Sequence, residues 1–234
     1  MNRTQTEIKI GSKIEGDLSC PFLPTKFLAW TDAEGSYKSE SVCPKPGLNF
    51  YNILIKITGP AVIKINLDSG ELALGSIYNG WAKIISTNNS IEKLEKDQWF
   101  YFSDQHIQIE RTCPEGIQIA LFASSKIFLR NLFELDKEAI NKDLSDFLLA
   151  GTVIHIRSGM MSKSAINLSE KIVQSTSSNV RGRLLLEANA LAWIAEILVQ
   201  TNDVMKIASN AINARDRDSI ETIAQAMRQS PAHE

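Results

Sequence analysis

The most constraining feature of this sequence is a change in the spacing of its apolar residues near residue 125. Before that point apolar residues fall at every second position, as at Ile53, Ile55 and Ile57, which marks strands with one buried face. After it they recur at every third or fourth position, which is the period of an amphipathic helix. The spacing therefore predicts a β-rich part followed by a helical part.

Several segments of the first part combine this alternation with β-branched residues: FYNILIKIT, AVIKINL, GWAKIIST, QWFYFS, HIQIERT and GIQIALFA. Between them lie turn sequences such as Gly59-Pro60, the DSG segment that ends at Gly70, and CPEG. Short strands joined by regular turns are typical of an antiparallel barrel or sandwich. We place this unit at residues 48–124 and expect residues 1–47 to add an irregular lead-in and a strand or two.

The second part carries several helical patterns. SKIFLRNLFEL and NKDLSDFLLAG predict two short helices, the second ended by Gly151 as its C′ residue. TVIHIRSG predicts one more strand, and Ser164 is the predicted N-cap of a helix in AINLSEKIVQST. The longest pattern, RGRLLLEANALAWIAEILVQ, carries apolar residues on more than one face. We therefore expect this helix to be covered both by its own fold and by something else.

The composition limits which binding partners and which cellular compartment we expect. The net charge of −2 leaves no basic surface for wrapping nucleic acid. Cys20, Cys43 and Cys113 are too few and too scattered for a disulfide framework or a zinc knuckle. The N-terminus lacks the apolar stretch of a signal peptide, and no apolar run approaches the roughly 18 residues of a membrane helix. We expect a cytoplasmic protein with no membrane partner.

Catalytic and metal-binding motifs are absent from the sequence. It contains no nucleophile elbow, no phosphate-binding loop and no dinucleotide fingerprint. His106, His155 and His233 are isolated, without the paired histidine spacing that usually announces a metal site. We therefore expect no enzyme activity, no cofactor and no bound metal.

Candidate ligand-binding residues lie among the aromatics of the β-rich part, because small-molecule sites combine an apolar wall with a few polar groups. Phe100 and Phe102 fit an ordinary core better than a pocket. The indole N–H of a buried tryptophan needs a partner, which favours the two tryptophans of this region as pocket residues. Arg111 could meet an anionic ligand, although a surface charge is the simpler interpretation. The predicted ligand-binding set is Tyr78, Trp81, Trp99, Tyr101 and Arg111.

The longest helix supplies candidate interface residues. Glu187 lies one turn after Arg183, so the two can form an ordinary intrahelical ion pair. Equally, because the apolar stripe is wider than one interface requires, Glu187 can contact a second subunit or another module. Alanines on the same helix permit close approach of a neighbouring helix. The predicted interface set is Arg183, Glu187, Ala188, Leu191 and Ala195.

The helical part also carries a family likeness. A strand ending in an arginine precedes a helix, and a second helix follows in which Arg183 is succeeded by Leu186-Glu187-Ala188 and Ala190-Leu191. This arrangement resembles the C-terminal part of the sensing domain in AraC/XylS-type bacterial transcription regulators, in particular the branch of siderophore-responsive activators of the PchR type. The closing ARDRDSIETIAQAMRQSP resembles the first helix of their DNA-binding module.

The resemblance implies an α+β fold, with an N-terminal antiparallel β barrel of cupin-like form followed by a helical dimerisation and linker region. It implies an effector-binding domain at 1–124, the helical region at 125–204, and the linker with the first helix of an incomplete DNA-binding domain at 205–234. The implied partners are a small-molecule effector, with a ferric siderophore as one candidate, and a second copy of the chain. Since a helix-turn-helix needs its recognition helix, we expect DNA binding only in a full-length relative.

Two other functions remain open at this point. The chain could be a stand-alone cupin-like protein that binds a small molecule or acts as a metal-dependent enzyme. In that case a metal or a convergent acid/base set inside the barrel is required, and stoichiometric iron, manganese or zinc would identify it. The chain could also be a purely structural interaction module, which would dimerise without any ligand.

Overall fold

The computed structural model describes residues 5–10, 26–31, 33–59, 62–133, 141–175, 181–182 and 184–201. Strands fill most of the chain up to residue 125, and helices follow. The strands are β1 (Gln5–Ile10), β2 (Lys26–Thr31), β3 (Gly35–Lys45), β4 (Leu48–Ile57), β5 (Val62–Leu67), β6 (Glu71–Asn79), β7 (Trp81–Ser86), β8 (Ile91–Glu95), β9 (Gln98–Phe102), β10 (His106–Thr112), β11 (Ile117–Ser125) and β12 (Arg157–Met160). The helices are α1 (Lys126–Phe133), α2 (Lys142–Ala150), α3 (Lys163–Gln174) and α4 (Leu184–Thr201).

The strands form two sheets that face each other. A five-stranded sheet has the order β1-β5-β10-β7-β8, and a seven-stranded sheet has the order β12-β9-β6-β11-β4-β3-β2. Neighbouring strands pair antiparallel except β1 and β5, which pair parallel. The predicted class, an antiparallel β-rich part followed by helices, is confirmed, and the two sheets stay open instead of closing into one continuous cylinder.

The seven-stranded sheet buries side chains on both of its faces. One face meets the five-stranded sheet in an inner core that includes Ile53, Ile55, Phe100, Phe102 and Ile119. The other face meets the helices in a second core, the helix-side core, whose strand members include Leu48, Phe50, Leu74, Trp99, Tyr101 and Phe122. This arrangement explains why β6 and β11 are buried along almost their whole length.

Helix α4 forms a large part of the helix-side core. Leu186, Ala190, Trp193, Ile194 and Ile197 are buried there, and the Trp193 ring lies 5.8 Å from that of Phe122. Burial of one such aromatic side chain contributes about 2–3 kcal/mol to the free energy of unfolding. The helix is therefore held on the sheet by its own fold.

Several predicted elements are confirmed at close to their predicted bounds. The strands in FYNILIKIT, GWAKIIST, QWFYFS, HIQIERT and GIQIALFA appear as β4, β7, β9, β10 and β11. Helices α1 and α2 match the two short helical patterns, and Gly151 ends α2 in the left-handed region with φ 75°. The first 47 residues contain three described strands, β1 to β3, more than the predicted one or two.

Other predictions need correction. Strands β6 and β8 were not predicted, because ELALGSIYN is apolar without alternation and IEKLE is largely charged. The strand predicted in TVIHIRSG is confined to Arg157–Met160. The N-cap of α3 is Ser162 and not Ser164, since the Ser162 Oγ accepts a hydrogen bond from the Ala165 N–H at 3.1 Å.

One described helix, α4, has the length and apolar composition of a membrane span. From the sequence we expected no apolar run of about 18 residues. The composition of Leu184–Thr201 departs from that expectation. About 39% of the helix is buried inside the fold. Buried core helices of other proteins can have the same length and apolar composition. Its composition alone is thus weak support for a membrane location.

A glycine marks the corner at which the chain passes from the seven-stranded sheet to the five-stranded sheet. Gly80, between β6 and β7, has φ +82° and packs against the Gly116 backbone, which itself has φ +91°. A Cβ at Gly80 would overlap the Gly116 carbonyl oxygen and lie 2.8 Å from the Cys113 Sγ. Only glycine satisfies both the backbone angle and the close approach at this corner.

We predict that Gly80→Ala lowers the free energy of unfolding by about 3 kcal/mol, from left-handed strain together with overpacking. Gly70→Ala is the matched control, because Gly70 has φ +79° but no atom within 4 Å of the added Cβ. It should cost only about 1 kcal/mol. Urea denaturation of both variants measures the difference, and equal losses would contradict the close packing at the corner.

Candidate functional site

A cleft of about 230 Å³ opens between the seven-stranded sheet and helix α3. Three elements surround it: the end of β6, the turn between β8 and β9, and the start and middle of α3. Its apolar wall consists of Ile77, Met161 and Ile166, and its polar residues are Tyr78, Asn79, Lys96, Asp97, Ser169 and Glu170.

Backbone hydrogen bonds hold the three elements together around the cleft. The Asp97 N–H donates to the Ile77 carbonyl at 3.0 Å, and the Met161 N–H donates to the Asp97 carbonyl at 2.9 Å. Asp97 adopts φ 65°, a left-handed conformation that aspartate tolerates better than most residues. The turn is thus tied both to the sheet and to the entry of α3, so the cleft has a defined frame.

A buried serine pair joins α3 to the sheet at the cleft. The Ser169 Oγ lies 2.8 Å from the Ser76 Oγ, and both residues are almost fully buried. Either hydroxyl can donate, which leaves capacity on the other oxygen for a further partner. Because Ser169 also lines the cleft, this pair is a fixed polar point inside an otherwise apolar wall.

The rim of the cleft carries charges of both signs. Lys96 and Glu170 are exposed, and Asp97 is half-buried between them and the sheet. Pockets for drug-sized ligands usually occupy about 300–1,000 Å³, so this cleft suits a smaller molecule. A small polar ligand, with an apolar part against the wall and charged or hydroxyl groups at the rim, fits this arrangement.

Of the predicted ligand-binding residues, the structure places only Tyr78 in the cleft. Trp99 and Tyr101 lie on β9 in the helix-side core, with their rings stacked at 5.7 Å and nearly parallel. Trp81 and Arg111 lie on the five-stranded sheet, where Trp81 is half-buried and Arg111 is exposed. The Lys93 Nζ sits 5.2 Å from the Trp81 ring. The structure therefore does not bring the predicted set together at one place.

Tyr101 has a structural partner in the helix-side core. Its hydroxyl accepts a hydrogen bond from the Asn141 Nδ2 at 3.2 Å, and the Asn141 Oδ1 in turn accepts from the Leu144 N–H as the N-cap of α2. Burial raises the pKa of the Tyr101 hydroxyl above its ordinary value. Tyr101 thus orients the first turn of α2.

The predicted interface residues divide between two sides of α4. Ala188 and Ala195 are exposed, Leu191 is partly buried against the helix-side core, and Glu187 is half-buried. Arg183 lies outside the described residues. The exposed side, which we call the outer face of α4, is apolar throughout and consists of Leu184, Leu185, Ala188, Ala192, Ala195 and Val199.

Two of the three histidines fall within the described residues. The His155 Nδ1 lies 3.0 Å from the Asp104 Oδ2, and the Asp104 side chain is buried. Burial, together with the charge of Lys64, lowers the pKa of His106 below its ordinary value. No three His, Cys, Asp or Glu side chains gather as a metal-binding group in the part of the chain that the structure describes.

Sequence reasoning missed most residues of the cleft. Lys96 and Asp97 belong to a turn, and Ser169 and Glu170 belong to a helix distant in sequence, so no local pattern connects them. The one available signal was Ser169, a polar residue on the apolar side of a helical pattern. Such a position needs a hydrogen-bond partner when it is buried.

The comparisons with known proteins are distant. No family model matches the sequence, and no curated protein is significantly similar to it. Among solved structures, apo ToxT from Vibrio cholerae is 13% identical with a TM-score of 0.47, covering 66% of this chain and 56% of its own. The Cupin_2 domain of an XRE family transcriptional regulator from Enterobacter cloacae is 11% identical, with a TM-score of 0.29 over 33% of this chain and 81% of its own. Oxalate decarboxylase from B. subtilis is 16% identical, with a TM-score of 0.32 over 54% of this chain and 35% of its own.

This chain spans only 56% of the length of the ToxT structure.

We predict that Ser169→Ala lowers the free energy of unfolding by about 1–2 kcal/mol, because it leaves the buried Ser76 hydroxyl without its partner. Replacing both serines by alanine should restore much of that loss, since no buried hydroxyl then lacks a partner. A double-mutant cycle by urea denaturation measures the coupling between the two positions. Additive losses would show that the pair contributes no hydrogen bond.

Proposed function

We propose that this chain is the effector-sensing and dimerisation part of an AraC-type transcription regulator, a binding protein without catalytic activity of its own. The sequence resemblance in the segment from Arg183 to Leu191 supports the family. The observation that carries the proposal is that a cleft of small-molecule size lies beside α3, and α3 is linked by hydrogen bonds to α4, whose outer face is apolar and exposed among the described residues. A sensor needs both a ligand site and a surface through which occupancy is read.

The size and lining of the cleft support a small polar effector. Its volume of about 230 Å³ is below the usual range for drug-sized ligands. Within this cleft we therefore favour a molecule such as an amino acid, a dicarboxylate or a polyamine over the larger ferric siderophore. The buried Ser169 hydroxyl, the Tyr78 side chain and the charged rim offer the polar contacts that would orient it.

The outer face of α4 supports a homodimer. Leu184, Leu185 and Val199 are each more than half exposed, with 61%, 51% and 54% of their surface accessible. The exposed alanines between them allow a second helix to approach closely. Polar residues border this face on one side, at Asn189, Glu196 and Gln200, as expected for the rim of an interface. A two-fold contact would place the face against its own copy.

We predict that a compound bound in the cleft, at about 100 times its dissociation constant, stabilises the fold by about 2.7 kcal/mol. Thermal denaturation in the presence of small amino acids, dicarboxylates, sugars and polyamines identifies such a compound. Asn79→Trp should abolish the stabilisation, because the indole fills the mouth of the cleft.

Glu115→Trp is the control for this experiment, since Glu115 is exposed in the turn before β11 and does not line the cleft. It should leave the stabilisation unchanged. A compound that stabilises the Asn79→Trp variant as strongly as the parent protein binds elsewhere, and that result would contradict the assignment of the cleft.

We predict that Ala195→Glu weakens dimerisation about a hundredfold, because each copy brings an unpaired carboxylate into the apolar contact. Sedimentation equilibrium measures the dissociation constant. Asn167→Glu, on the exposed side of α3, adds the same charge away from the outer face of α4 and should leave the constant unchanged. If both variants associate like the parent chain, the dimer does not use this face.

A further inference from the structure

A continuous line of hydrogen bonds runs along the wall of the cleft. It begins at the Ile77 carbonyl on β6, which accepts from the Asp97 N–H, and continues at the Asp97 carbonyl, which accepts from the Met161 N–H. All three residues line the cleft. An occupant that displaces the turn at Asp97 or the buried Met161 side chain must therefore move the backbone at the entry of α3.

The next residue, Ser162, links this entry to helix α4. The Ser162 N–H donates to the Gln200 Oε1 at 3.1 Å, and the Ser162 Oγ donates to the Glu196 Oε1 at 2.7 Å. The same oxygen accepts from the Gln200 Nε2 at 3.1 Å and from the Ala165 N–H at 3.1 Å. One donor and two acceptor positions are the full capacity of a hydroxyl.

Because Ser162 uses its full hydrogen-bonding capacity, it cannot shift without breaking a contact to α4 or losing the cap of α3. Breaking the contact to Glu196 would remove the hydroxyl donor that the described residues provide to this part-buried carboxylate, which costs more than losing an exposed hydrogen bond. We treat the bonded and the broken arrangement as two alternative states. A two-state element of this kind can pass a bias from one site to another.

The residues at the α4 end of this line border the outer face. Glu196 lies four residues after Ala192 and four before Gln200, so the three are neighbours along one side of the helix. Glu196 and Gln200 are half-buried, whereas Ala192 is exposed. A change in the hydrogen bonds of Glu196 therefore acts directly beside the apolar face that we propose for dimerisation.

We propose that Ser162 is a positioning residue that transmits occupancy of the cleft to helix α4 through its hydrogen bonds to Glu196 and Gln200. The inference rests on the proposed function, since it describes how the sensing cleft is read. By linkage, a partner bound to the outer face of α4 changes the affinity of the cleft by the same factor as an occupant changes the affinity for the partner.

The test places a chemical group at the rim of the cleft, so that it does not depend on knowing the natural ligand. Asn79→Cys places a thiol at the rim, and methyl methanethiosulfonate attaches a small group there as a mixed disulfide, releasing methanesulfinate. Amide hydrogen exchange of peptides from residues 184–201 then reports the local stability of α4, whether or not the chain dimerises. We expect labelling to change exchange in α4 by about fivefold or more.

Four controls make the route specific. Glu115→Cys, labelled in the same way, and the parent chain, which reports labelling of its native cysteines, should show no change in α4. Ser162→Ala should remove the response to labelling at Asn79→Cys, and Ser162→Thr, which keeps a hydroxyl, should retain it. Each variant is compared labelled and unlabelled, so a general loss of stability from the missing cap cancels.

Two results would overturn the inference: no change in α4 on labelling, or a change that persists in Ser162→Ala. The second result would place the coupling in the apolar packing of α3 against α4. Neither result bears on whether a small molecule binds the cleft, which the thermal denaturation experiment decides separately. The two proposals can therefore fail independently.

Discussion

The structure depends on a sheet that must bury both of its faces. Along β11, Ile119 and Leu121 point into the inner core, whereas Ala120 and Phe122 point into the helix-side core. A sheet with two apolar faces is stable only when both are covered, because exposed apolar area costs about 25 cal/mol per Å². The five-stranded sheet covers one face, and the helices that follow residue 125 cover the other. The helical part is therefore needed to complete the core of the β-rich part.

This two-sided burial determines where a ligand site can form. Alternation along β9 sends Phe100 and Phe102 to one core and Trp99 and Tyr101 to the other, and both cores are filled by side chains. The described cleft lies instead at the margin of the helix-side core, where β6 ends and α3 begins. An occupant there would contact the sheet and α3, which is compatible with the sensing role that we propose.

Helix α4 shows how the same constraint leaves an apolar face exposed. Its sequence is apolar around much of its circumference, and the sheet accepts one side only, through Leu186, Ala190 and Trp193. The opposite side stays exposed although it is equally apolar. Polar contacts at Ser162 hold the helix in this rotation, because Glu196 and Gln200 both bond to that residue. The packing that completes the core thus also presents the outer face.

The sequence alone determined most of the strands after residue 47, the two short helices, the change of period near residue 125, and the end of α2 at Gly151. It could do so because alternation and left-handed glycine are properties of neighbouring residues. The tertiary structure alone decided which side of α4 is buried, since both sides are apolar and only contact with the sheet separates them. The tertiary structure also determined that Ser162, and not Ser164, is the N-cap of α3. Ser162 is held by hydrogen bonds to Glu196 and Gln200 on α4, more than thirty residues away in sequence. The cleft, too, was decided by the tertiary structure, because its residues come from a strand, a turn and a helix that no local pattern connects. The hydrogen bonds at Asp97 and the Ser76–Ser169 pair bring these elements together.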